Sequence, residues 1–230
     1  IESWRKSGYA DMAELYSPER GFPHLTMLME STWNALDAVA ARGFVDAKRI
    51  GIGGVSHGAF VPLYMLQHYD RIGAISIASS GWSHMEYYYA TRTRRAAHES
   101  HWPESPEFWS QIDIADQVEK VEAPLLVNFA DLEFFTGYRL PRRMENAGRA
   151  FEAHVFPDEY HIKWQPAHRL AIYNRNLDWF RYWLQDIEDP EPAKSEQYQR
   201  WRELRKLQCR NPRSVRDYCA VEITKVSPAR

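Results

Sequence analysis

One stretch of this 230-residue chain decides its fold: Arg49-Ile50-Gly51-Ile52-Gly53-Gly54-Val55-Ser56-His57-Gly58-Ala59-Phe60. It begins as a short β-branched run that stops at glycines, and an apolar run over 59–66 follows. This order predicts a buried strand, a sharp turn and a helix. The turn fits the pattern Gly-x-Ser-x-Gly, in which a strained backbone exposes a serine hydroxyl between strand and helix.

Strand and helix patterns alternate along the rest of the chain. Further apolar runs at 71–79, 124–129 and, more weakly, 151–156 are typical of buried parallel strands. A helix is predicted before the first strand, from the spacing of Met29, Trp33, Leu36 and Ala40, with a C-cap at Gly43. A last long helix over 166–184 carries one apolar stripe, which consists of Leu170, Tyr173, Leu177, Phe180 and Leu184. The alternation predicts an α/β fold with a mostly parallel sheet and helices on both faces.

Composition excludes several classes of protein. Apolar residues make up 44% of the chain, and 29 Lys and Arg against 31 Asp and Glu give a net charge of −2. The chain therefore has a sizeable core and no global attraction for nucleic acid or anionic lipid, so we expect neither a nucleic-acid nor a membrane partner. Two cysteines, Cys209 and Cys219, exclude a disulfide framework and a four-thiolate zinc site, and leave a single bridge open.

A serine hydroxyl needs a base and an orienting acid before it reacts. Ser56 is the expected nucleophile, and the backbone N–H of His57 at the start of the following helix is the expected oxyanion donor. We predict His161 as the base, because it lies in a polar loop between a strand and the last long helix. His154 and His168 fall inside a strand and a helix, so we expect structural roles for them.

The acid is expected just after the strand at 124–129, where Asp131 and Glu133 are the candidates. This region, the serine turn and the histidine loop resemble the catalytic domain of the prolyl oligopeptidase family of serine peptidases. That family has a Gly-x-x-Asp ending here, and the resemblance aligns its glycine with Ala130 and its acid with Glu133. The chain departs from the pattern by using glutamate, which other α/β-hydrolases also use. We favour Glu133 and keep Asp131 as the alternative acid.

Within this family, residues 158–169 and 176–181, together with the glutamate, resemble the lasso peptide isopeptidases. The resemblance covers about residues 20–185. It implies a bacterial, cytoplasmic serine isopeptidase that hydrolyses the bond between an Asp or Glu side chain and the N-terminal amine of a threaded peptide. The expected partner is thus a peptide substrate, and no cofactor is expected. No metal site is expected either, because the chain has no His-Glu-x-x-His motif.

The resemblance also implies parts that these residues do not contain. In the family, several strands, a tyrosine that is the second oxyanion donor and an N-terminal β-propeller precede the serine. We therefore expect 1–187 to be the C-terminal part of an α/β-hydrolase domain. Another chain or further sequence would supply its first strands and the propeller. The charged segment 188–230 is expected to pack on it as an extension.

Other interpretations stay open at this point. An ordinary prolyl oligopeptidase-like aminopeptidase or esterase would use the same catalytic residues. A catalytically dead hydrolase fold could instead bind peptides. The aromatic and Arg-rich segment 81–113 is either a wall or lid of the pocket, or an excursion on the surface.

Overall fold

The structure is a computed structural model that describes residues 21–68, 71–79 and 113–226. Strands and helices alternate along these ranges, as predicted. The α-helices and β-strands are α1 (Gly21–Ala40), β1 (Gly51–Val55), α2 (Phe60–His68), β2 (Ala74–Ala78), β3 (Leu125–Ala130), α3 (Arg139–Asn146), β4 (Phe151–Phe156), α4 (Pro166–Gln185), β5 (Ile187–Glu188), α5 (Ser195–Cys209) and β6 (Thr224–Lys225). Short 3-10 turns join several of them, among them Ser56–Ala59 and Asp131–Thr136.

The first four strands form one parallel sheet in the order β1-β2-β3-β4. Every residue of β2 and β3 is buried, as expected for central parallel strands with helices on both faces. Strand β1 lies at one edge of the described sheet and its residues are partly exposed. The carboxyl ends of β1, β2 and β3 lie side by side, and this is where ligands bind in such sheets.

Alternate residues of the strands pack against helices on opposite faces of the sheet. Ile75, Ile77 and Val127 belong to a core with α1, α2 and α3, whereas Ala74 and Leu126 pack with α4 and α5. The prediction of helices on both faces is therefore confirmed. Among the helices in the described ranges, none has the length and apolar character that a bilayer crossing requires.

The apolar stripe predicted for α4 is wrong in its first half. Leu170, Tyr173 and Leu177 are 60%, 68% and 54% exposed, whereas Leu184 is buried. The helix instead buries a neighbouring face, whose large aromatic rings fill the space between the sheet and α5. This face consists of Ile172, Trp179, Tyr182 and Trp183.

The segment after α4 packs closely on the sheet domain. The rings of Trp179 in α4 and Trp201 in α5 meet edge to face at 5.1 Å, and the Tyr218 hydroxyl donates to the Gly73 carbonyl at 2.6 Å. Cys209 and Cys219 form a disulfide, which settles the bridge that the sequence left open. The division of the chain at residue 188 stays a prediction.

Candidate active site

The turn after β1 has the geometry that the Gly-x-Ser-x-Gly pattern predicts. Ser56 has a φ of +57°, in the left-handed region that costs a non-glycine residue about 1–3 kcal/mol. A Cβ atom on Gly54 would lie 2.1 Å from the Gly58 carbonyl oxygen, so only glycine fits there. A Cβ on Gly58 would meet nothing within 4 Å. The backbone is thus folded tightly on the side of Gly54 and presents Ser56 at the end of the strand.

The loop between β4 and α4 carries His161 to this serine. Its Nε2 lies 2.5 Å from the Ser56 Oγ, and its Nδ1 is hydrogen-bonded to the Glu133 Oε1. When the ring proton is on Nδ1 and forms the hydrogen bond to the Glu133 carboxylate, Nε2 is unprotonated. Nε2 can then accept the proton of the Ser56 hydroxyl, as a general base must. The structure therefore brings Ser56, His161 and Glu133, three residues from distant parts of the sequence, into one chain of hydrogen bonds.

The two candidate acids make different contacts, although they lie in the same 3-10 turn. Glu133 bonds the imidazole, whereas the Asp131 carboxylate accepts backbone N–H groups from Asp158 at 2.8 Å and from Glu159 at 3.2 Å. The hydrogen bond from Asp158 is the main reason that the pKa of Asp131 is lowered, and partial burial opposes it. Asp131 thus holds the start of the loop that carries His161.

A second carboxylate, that of Glu159, holds the other end of the same loop through hydrogen bonds. Glu159 is fully buried and accepts the N–H of Trp164 at 2.8 Å, that of Gln165 at 3.2 Å and the ring Nδ1 of His168 at 2.8 Å. Burial opposes ionisation, but these hydrogen bonds outweigh it and lower the pKa of Glu159. Sequence reasoning missed the roles of Asp131 and Glu159, because an acidic residue in a loop carries no sign of its partner.

The remaining predicted residues lie as follows. His57 follows Ser56 in the 3-10 turn, and the oxyanion role of its backbone N–H stays a prediction. His154 and His168 bond Glu152 and Glu159, in agreement with structural roles. The segment 81–113, for which a pocket wall or lid and a surface excursion were both open, lies outside the described residues except for Asp113 at its end.

A cavity of about 340 Å³ opens beside His161. Its lining is mostly apolar, with one lysine and one arginine besides the histidine, and consists of Val55, Ala78, Ser79, His161, Ile162, Lys163, Arg169, Ile172 and Tyr173. Within the described ranges, no group of three His, Cys, Asp or Glu side chains is placed to hold a metal ion. The chemistry that the described residues support is thus nucleophilic attack by a serine hydroxyl on an acyl group, with an apolar cavity next to the base.

Comparisons with known proteins give a consistent result. The model of the prolyl oligopeptidase family matches residues 28–186. The chain is 32% identical over 191 residues to the lasso peptide isopeptidase AtxE2 of Asticcacaulis excentricus, which covers 80% of this chain and 28% of that protein. It is 26% identical over 170 residues to dipeptidyl-peptidase 5 of Porphyromonas gingivalis, which covers 68% of this chain and 25% of that protein.

A solved structure of a variant of the AtxE2 isopeptidase with Astexin3-dC4 bound is similar in fold. It superposes with a TM-score of 0.77 at 29% identity, over 86% of this chain and 31% of that one. The predicted fold is confirmed, because the sheet and its helices match the α/β-hydrolase catalytic domain of these peptidases over part of its length. The chain spans less than a third of the length of each of these relatives.

Proposed function

Because this chain belongs to the prolyl oligopeptidase family, we propose that it carries the catalytic centre of a serine hydrolase that cleaves amide bonds. In this proposal Ser56 is the nucleophile, His161 the general base and Glu133 the acid. The observation that carries it is the continuous chain of hydrogen bonds from the Ser56 hydroxyl through the imidazole to the carboxylate. The alternative acid, Asp131, has its carboxylate oxygens bonded to backbone N–H groups of the histidine loop, which supports the choice of Glu133.

The reaction follows from this arrangement. The Ser56 Oγ attacks the carbonyl carbon of the amide while His161 Nε2 takes the hydroxyl proton, and the negative charge of Glu133 stabilises the imidazolium that forms. The backbone N–H of His57 stabilises the oxyanion of the tetrahedral intermediate. His161 then gives its proton to the leaving amine, which departs and leaves an acyl-enzyme. Water, activated by the same imidazole, attacks the acyl carbon and releases the carboxylic acid.

We further propose that the amide is the isopeptide bond of a lasso peptide. The similarity to the lasso peptide isopeptidase AtxE2 over 80% of this chain supports this substrate, as does the similarity to a structure with Astexin3-dC4 bound. An isopeptide is an amide, so its hydrolysis requires no reaction steps beyond those given above. Hydrolysis would free the Asp or Glu side-chain carboxylate and the N-terminal amine, and would give a linear peptide.

The test uses the full-length protein and a purified threaded peptide. Conversion to a product heavier by one water, with the break located at the isopeptide by tandem mass spectrometry, supports the proposal. The Ser56→Ala variant is the control and should leave the peptide intact. An unthreaded peptide with the same isopeptide ring shows whether the thread is part of the recognised shape.

The second candidate is a peptidase that acts on linear peptides. The 26% identity to dipeptidyl-peptidase 5 favours including it. Release of a chromophore from dipeptide or proline-linked substrates, with no change in the threaded peptide, would replace the isopeptidase by this alternative. Absence of fluorophosphonate labelling at Ser56 would contradict both and favour a peptide-binding module, because labelling requires an activated hydroxyl.

A further inference from the structure

Ser79 links the end of β2 to the backbone of the catalytic histidine. Its buried hydroxyl donates to the His161 carbonyl oxygen at 2.7 Å, and its N–H donates to the Asn128 carbonyl at 3.1 Å. Ser79 has a φ of +53°, in the left-handed region that disfavours every residue except glycine. A serine is thus held in a strained conformation at the point where its hydroxyl meets the histidine loop.

Lys163 contacts the same hydroxyl from the other side. It is only 6% exposed, and its ammonium donates to the Ser79 Oγ and, at 3.3 Å, to the Asn128 carbonyl oxygen. Burial lowers the pKa of Lys163, while the nearby carboxylates of Glu133 and Glu159 act in the opposite direction. Burying an ammonium group costs free energy that an apolar side chain in the same space would not cost. The hydrogen bonds of Lys163 therefore indicate a role for this residue beyond packing.

We propose that Ser79 and Lys163 are positioning residues that fix the backbone of His161 relative to the sheet. This inference rests on the proposed function, since it concerns the base of that reaction. The Ser79 hydroxyl accepts from Lys163 and donates to the His161 carbonyl, so it ties both residue 161 and residue 163 to the end of β2. With these two points fixed, the backbone that carries the imidazole is held beside Ser56. A displacement of about 1 Å at such a site lowers the rate by about 100-fold.

The chain offers a matched control for this role. Ser76 lies in β2, three residues before Ser79, is equally buried and donates its hydroxyl to the Asn176 Oδ1 at 2.8 Å, so its loss also disrupts buried hydrogen bonding. That bond holds α4 and does not contact the histidine loop. Ser76→Ala removes one buried hydrogen bond and Ser79→Ala removes two, so both should lower stability, but only Ser79→Ala should slow the reaction.

The expected results are kinetic. Ser79→Ala should lower kcat and the rate of fluorophosphonate labelling at Ser56 by about 10- to 100-fold, with KM within about twofold, because the change acts through the position of His161. Ser76→Ala should leave both rates within about twofold. Ser79→Gly removes the hydroxyl but relieves the left-handed strain, so it should fold well and still be slow. Lys163→Met should be slow as well, and combining it with Ser79→Gly should add little, because both act through one chain of bonds.

The outcomes separate this inference from the proposed function. If the wild-type protein labels at Ser56 and Ser79→Gly labels equally fast, the positioning role is wrong and the serine hydrolase stands. If Ser76→Ala is as slow as Ser79→Ala, the effect is a general loss of packing and the positioning role is also wrong. If the wild-type protein does not label at all, both proposals fall together.

Discussion

Replacing Glu133 by glutamine tests the acid of the proposed triad most directly. Glutamine has the same length and keeps an oxygen that can accept the Nδ1–H of His161, so the geometry is largely preserved. What is lost is the negative charge beside an imidazole that becomes positive as the Ser56 proton is transferred. The Glu133 side chain is 23% exposed, so this interaction is only partly screened by water.

The size of the effect follows from the separation of the two charges. At about 4 Å and an effective dielectric constant of about 20, a unit positive and a unit negative charge attract by about 4 kcal/mol. Losing this attraction only in the transition state corresponds to a fall in kcat of about 1,000-fold. In a well-studied serine protease the corresponding carboxylate-to-amide change lowers kcat by about 10,000-fold, a larger effect because the amide also favours the wrong imidazole tautomer.

The assay compares kcat for peptide hydrolysis and the rate of fluorophosphonate labelling in Glu133→Gln and in Asp131→Asn. Both variants exchange a carboxylate for an amide in the same 3-10 turn, but the Asp131 oxygens accept backbone N–H groups of Asp158 and Glu159. We expect Asp131→Asn to lower the melting temperature and to reduce kcat by less than about tenfold. If Asp131→Asn slows catalysis more than Glu133→Gln does, the assignment of the acid is wrong.

Three further predictions concern stability. Gly54→Ala should lower the melting temperature and slow Ser56 labelling at least about tenfold, because its Cβ would meet the Gly58 carbonyl. Gly58→Ala should change the free energy of unfolding by less than about 0.5 kcal/mol. Equal effects of the two variants in thermal melts would contradict the turn geometry. Replacing Cys209 and Cys219 by serine should lower the free energy of unfolding, measured in urea, by about 3 kcal/mol, because the bridge spans 10 positions, and should leave kcat unchanged. An unchanged unfolding midpoint would argue against the bridge. The lowered pKa of Glu159 means that its contribution to stability is present above about pH 4.3 and is lost as the pH falls through its pKa in the folded protein. Glu159→Gln should therefore make the melting temperature less dependent on pH below about pH 4.3. Parallel curves of melting temperature against pH for both proteins would refute this.

The parts of the fold that the sequence predicted are those with strong local patterns. The run 124–129 is entirely apolar except for Asn128, and the structure has a buried strand there. The elbow at Ser56 combines a β-branched run, glycines and a following apolar helix, so several independent signals agree. Glu133 was favoured through the family resemblance, and the local sequence alone did not distinguish it from Asp131.

What the sequence did not predict depends on contacts between distant residues. Ser79 and Lys163 are separated by 84 positions, and neither belongs to a sequence motif from which their contact could be predicted. The prediction for α4 fails because the helix carries apolar residues on two sides, and its packing between the sheet and α5 decides which side is covered. The upstream strands, the propeller and a second oxyanion donor stay predictions.

The left-handed backbone of Ser56 has a consequence for the history of this chain. Glycine relieves such a conformation, so a lineage that no longer needed the hydroxyl would gain stability by a one-residue change at this position. Mutation without selection for chemistry would therefore drift away from serine here. The residue at this position therefore offers a simple criterion for recognising homologues that have lost the chemistry: glycine there is expected where the hydroxyl is no longer needed.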